Sequence, residues 1–94
     1  IWLSFWIKIT LGYQMKVTDE YINKLFEGAN FGKKVNESVN EKRKLIKKTL
    51  INQTRGLWSG HTIYNIVVYG GFLIDSETGF MKELTLLGNT YLND

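Results

Sequence analysis

Apolar residues recur along this chain at helical spacing in short runs separated by glycine-rich breaks, and that rhythm predicts a mostly helical fold. Tyr21, Ile22, Leu25 and Phe26 form the first such stripe, on a helix expected over residues 20–27 with Thr18 or Asp19 as its cap. The run Gly28-Ala29-Asn30-Phe31-Gly32 should stop it, and the polar residues 33–40 read as a connector. The clearest element is a long helix over residues 37–53, capped by Asn36 or Ser38; Ser38 and Glu41 stand at capping-box spacing. Within it Val39, Ile46, Leu50 and Leu57 fall within about 40° of one another at 100° per residue. Leu45 and Ile51 lie off that stripe, so burial on more than one side is expected.

Gly56 to Gly60 reads as a turn, with Ser59 placed to cap a second helix over residues 61–69. Ile63, Ile66 and Val67 would form its inner face, and the β-branched run Ile66-Val67-Val68 leaves a strand as the rival assignment. After Gly70-Gly71, the segments Phe72-Leu73-Ile74 and 80–84 read as two short strands around a turn, Asp75-Ser76-Glu77-Thr78-Gly79. Thr85 then caps a short closing helix that tolerates Gly88. Trp58 is expected as a core plug between helices in preference to a stacking platform, since tryptophan buries a large area.

Charge sharpens this outline. Residues 1–41 hold five basic and five acidic side chains, whereas residues 42–55 hold Lys42, Arg43, Lys44, Lys47, Lys48 and Arg55 and no acid. The excess of positive charge therefore sits on the long helix, which suits a polyanion or an acidic partner; the plainer reading is a solvated face. The chain has no cysteine, which rules out disulfides and thiolate metal sites and suits a reducing cytoplasm. Ninety-four residues suffice for one domain, expected over residues 15–94. The apolar stretch 1–14 ahead of Met15 has three readings: a strand, the remnant of a longer chain, or sequence upstream of the true start. It is too short for a membrane span, and it is a candidate for a homodimer contact, although the sequence does not reveal a dimer interface.

The order of elements after residue 45, a long helix, tight turn, short helix, hairpin and short helix, resembles a winged helix-turn-helix domain. The likeness rests on Gly71-Phe72-Leu73-Ile74, where the wing would begin, and on Leu84-Thr85-Leu86-Leu87-Gly88-Asn89-Thr90-Tyr91-Leu92, which follows the phrase into which the wing commonly returns. Trp58-Ser59-Gly60-His61-Thr62 is similar to small phage and prophage proteins. The resemblance implies an α+β, mostly helical winged-helix fold of three or four helices with a C-terminal β-hairpin wing. It also implies binding to double-stranded DNA, as in a phage or mobile-element regulator of transcription. His61, Thr62, Asn65 and Tyr69 would then face bases, and Lys44, Lys47, Lys48, Arg55 and Lys82 would contact phosphates. Against base reading, the second helix holds no Lys or Arg and the wing turn is acidic. The alternative is a protein-binding module, such as an inhibitor of a host protein, acting through Tyr64, Val68 and Phe80.

Catalytic signatures are weak. Gly28 to Lys34 is one residue short of a phosphate loop and has lysine where Ser or Thr should hold magnesium. His61 is the single histidine, with no cysteine to join it in a metal site. No cofactor, metal or enzymatic activity is expected.

Overall fold

The computed structural model describes residues 17–29, 32–76, 79 and 81–93. The strand, upstream-start and dimer readings of residues 1–14 lie outside the described residues. Four α-helices stand among those described: α1 (Asp19–Glu27), α2 (Val39–Thr54), α3 (His61–Tyr69) and α4 (Leu86–Leu92), with a 3-10 turn (Gly32–Asn36) between α1 and α2. The first three helices pack against one another, and α4 lies on α2.

Local signals set most of these boundaries. Thr18 Oγ1 accepts the Tyr21 amide at 3.1 Å, and Ser38 Oγ accepts the Glu41 amide at 3.3 Å. Thr85 Oγ1 accepts the Gly88 amide at 3.0 Å. Each such bond satisfies one of the donors that a helix start leaves free. α3 departs from the pattern. Its N-cap is Gly60, held at φ 107°, and no side chain caps it. Ser59, the expected cap, instead donates its backbone amide to Gln53 Oε1 at 3.1 Å, and its hydroxyl is buried without a hydrogen-bond partner.

The core runs through all four helices. Ile22 and Phe26 of α1, Ile46 and Leu50 of α2, and Ile63, Ile66 and Val67 of α3 are buried with Phe72 at their centre. The Phe72 ring meets Tyr21 edge-on at 6.4 Å between centroids and Tyr91 at 5.1 Å. Both phenols reach back to main chain: Tyr21 donates to Gly70 O at 2.6 Å and Tyr91 to Arg43 O at 3.1 Å. Leu57 and Ile51 fall outside this core, and Leu57 is 55% exposed because the chain leaves α2 before reaching it.

Among the described residues the expected β-hairpin wing is absent, which overturns the winged-helix fold while leaving the mostly helical class in place. Among the described residues there is no strand, only an isolated antiparallel bridge between Leu73 and Leu84. Two main-chain bonds flank it, Ile74 N to Glu83 O at 2.9 Å and Thr85 N to Phe72 O at 3.0 Å. The pairing stops there because the polar groups on either side are committed to helices and to the loop itself. The Lys82 amide donates to Gln53 O on α2 at 2.9 Å, and Asp75 accepts the Tyr64 hydroxyl of α3 at 2.6 Å. Residues 77, 78 and 80 of the expected turn and second strand lie outside the described residues.

Gly88 is required by contact, not merely tolerated. A Cβ placed there would stand 2.0 Å from the Phe72 carbonyl oxygen, closer than any real contact. In an open helix, alanine is favoured over glycine by about 1 kcal/mol. Here the clash reverses the sign, and Gly88→Ala should cost about 1–3 kcal/mol in urea denaturation. An unchanged or raised midpoint would contradict the close approach of α4 to Phe72.

Candidate nucleic-acid interface

α2 and its C-cap Arg55 carry six basic residues between positions 42 and 55, and the fold sorts them into two groups. Lys42 falls on the inner stripe with Ile46, Thr49, Leu50 and Gln53, and is only 4% exposed. Its ammonium donates to Asn23 Oδ1 of α1 at 2.9 Å and lies 5.5 Å from the centre of the Phe26 ring. Arg43 is next to it. Its Nε donates to Asp19 Oδ1 at 2.8 Å and its Nη2 to Val17 O at 2.6 Å, tying α2 to the start of α1. Burial of an unpaired ammonium is expensive, so Lys42 needs the Asn23 acceptor.

The other four face outward. At 100° per residue Lys44, Lys48 and Arg55 lie within about 40° of one another, with Lys47 about 60° to one side of Lys44. All four are exposed. Lys44 approaches Glu41 at 3.5 Å, an exposed pair that contributes little to stability. Lys34 similarly meets Glu37 at 3.3 Å, so carboxylates accompany the N-terminal end of this ridge. Among the described residues, Lys47, Lys48 and Arg55 have no ion-pair partner. Positive charge is therefore least compensated toward the C-terminal end of α2.

The residues expected to face bases are divided. Thr62, Asn65 and Tyr69 line a cleft of about 370 Å³ whose other wall is Lys24 and Leu25 of α1 with Gly28 and Ala29 just beyond its end. Tyr69 is 82% exposed at its rim. His61 sits apart, with its ring edge-on to Trp58 at 5.1 Å. The outer face of α3 is thus one side of a cleft shared with α1, not a ridge standing clear for a groove. Lys82, expected at phosphate, turns inward. Its ammonium donates to the Ser76 carbonyl and lies 5.9 Å from the centre of the Tyr64 ring.

Trp58 is not the core plug its size suggests. It is 56% exposed, and its ring rests tilted on Tyr64 at 5.1 Å. Tyr64 in turn is buried beneath it and Val68 is partly buried against the core, so the apolar surface expected around Tyr64, Val68 and Phe80 is not open at those two residues. Phe80 lies outside the described residues. The inner role of Lys42 and the part of Gln53, whose side chain accepts the Ser59 amide, were missed from sequence. The spacing of Lys42, Ile46 and Leu50, four residues apart, was the available signal.

Among the described residues, no group of three or more His, Cys, Asp or Glu could hold a metal ion. No described helix is long and apolar enough to cross a membrane. No protein-family model matches the chain, and it matches no curated protein and no solved structure.

Burial, followed by the hydrogen bond and negative charge of Asp75, pushes the Tyr64 phenol up to about 12 from its usual 10. Burial also raises Tyr21 and Tyr91, with Arg43 opposing the rise at Tyr91. A phenol whose ionisation is harder in the folded state stabilises the fold fully below its unfolded value and loses that contribution as pH rises through the folded value. Stability should therefore fall between about pH 10 and 12. Tyr64→Phe should flatten that fall in denaturation midpoints taken across the range; an unchanged slope would contradict the assignment.

Proposed function

We propose that this protein binds nucleic acid through the sugar-phosphate backbone, using the outer ridge of α2. The observation that carries the reading is the sorting of basic residues on that helix. Lys42 is buried and Arg43, partly exposed, is tied to Asp19 and Val17, while Lys47, Lys48 and Arg55 stand exposed without carboxylate partners among the described residues. Lys44 to Arg55 spans about 16 Å of helix axis at 1.5 Å per residue, enough to meet several phosphates. Lysine and arginine on such a surface supply affinity and position without reading sequence. The cleft wall beside Thr62, Asn65 and Tyr69 gives no comparable support to base reading, and the absence of Lys and Arg from α3 points the same way.

Electrostatic binding of this kind releases counterions, so affinity should fall steeply with salt. With three or four phosphates engaged, the slope of log affinity against log salt should be about −3 for a duplex. Fluorescence anisotropy with a labelled oligonucleotide measures it. Lys47→Glu combined with Lys48→Glu should abolish binding at moderate salt, while Lys24→Glu, away from the ridge, should change it less than about 3-fold. Binding that survives the double reversal, or a slope near zero, would sink the reading.

A further inference from the structure

We infer that Trp58 is a stacking platform for an unpaired base, so that the preferred ligand is single-stranded rather than duplex nucleic acid. This rests on the proposal that the α2 ridge holds phosphates, and it names the strand class which that ridge serves.

The loop after α2 folds back on its last turn. Leu57 N donates to Asn52 O at 2.8 Å, Gly56 N to Gln53 O at 3.2 Å and Ser59 N to Gln53 Oε1 at 3.1 Å. These bonds hold Trp58 close to the end of the ridge where Arg55 stands. The indole is supported from within the protein: Tyr64 lies against it at 5.1 Å and His61 meets it edge-on at the same distance. Tyr64 is itself pinned by its hydrogen bond to Asp75 and by Lys82 near its ring. A ring fixed in this way, yet more than half exposed, presents an apolar face without first having to be ordered.

Charge decides between occupants. The charged side chain three residues before Trp58 is Arg55, whereas the Asp75 carboxylate is linked to the indole only through Tyr64. An aromatic face at the cationic end of a basic ridge matches the combination by which single strands are held: backbone on the charges, a base on the ring. A duplex keeps its bases stacked inside and has none free to offer, so it can use the ridge but not Trp58.

The test compares a thymidine oligonucleotide of about eight residues with a duplex of equal length, using the full chain and anisotropy. The single strand should bind more tightly. Trp58→Ala should weaken single-strand binding by at least about 5-fold, leave its salt slope unchanged and leave duplex binding unchanged. Trp58→Phe, which keeps a ring and guards against loss of folding, should retain most of the affinity. In the full chain with Trp2→Phe and Trp6→Phe, the remaining indole emission should be quenched at the oligonucleotide concentration that half-saturates the anisotropy signal.

If strands bind with a steep salt dependence but Trp58→Ala changes nothing and no quenching occurs, the platform is overturned and the ridge stands. If neither strand form binds, both fall. If Trp58→Ala leaves single-strand binding intact yet abolishes binding to a protein, the exposed indole belongs to a protein interface and the inference is overturned.

Discussion

A lysine ammonium inside a small helical bundle has to find an acceptor, and Asn23 provides it for Lys42. The neighbouring Arg43 grips Asp19 and the Val17 carbonyl, so two consecutive residues of α2 are tied to α1 and its approach. Two such ties fix the rotation of α2 about its own axis. That rotation brings Ile46, Leu50 and Gln53 inward and leaves Lys44, Lys47, Lys48 and Arg55 outside. The exposed cationic ridge is thus a consequence of how the buried cation is satisfied. Were α2 turned by one residue, its basic side chains would be dealt differently between the core and the solvent.

The second half of the chain depends on Phe72. Tyr21 and Tyr91 reach it from α1 and α4, and Gly88 lets α4 approach its carbonyl. With Phe72 and Leu73 buried among helices, the following segment uses its polar groups on α2 and α3 instead of on a partner strand. Asp75 holds Tyr64, and Tyr64 supports Trp58. The failure to form a hairpin and the raised, half-open position of Trp58 are therefore linked through one buried tyrosine.

Much of the helical layout was legible because it is local. Thr18, Ser38 and Thr85 are caps that act within three residues, and α3 occupies residues 61–69 as its apolar spacing predicts. What was not legible depends on contacts between distant residues. Phe72-Leu73-Ile74 has strand composition, and only their neighbours reveal that Phe72 and Leu73 anchor a helical core while Ile74 stays exposed. Ser59 looks like a cap until Gln53 takes its amide. Gly88 looks like a weakness until the Phe72 carbonyl is placed beside it. In the candidate site, the run of positive charge was visible, but its division between Lys42 and Lys47 follows from the partner Asn23, nineteen residues away. The inward turn of Lys82 and the separation of His61 from Thr62, Asn65 and Tyr69 are likewise tertiary facts.

The division of labour on α2 can be read directly by lysine acylation of the native chain, with each site followed by mass spectrometry. Lys47 and Lys48 should react rapidly and be shielded when an oligonucleotide is added. Lys42, enclosed by Asn23 and Phe26, should react only once the protein unfolds. A Lys42 as reactive as Lys47 in the folded protein, or an oligonucleotide that shields neither exposed lysine, would contradict the account.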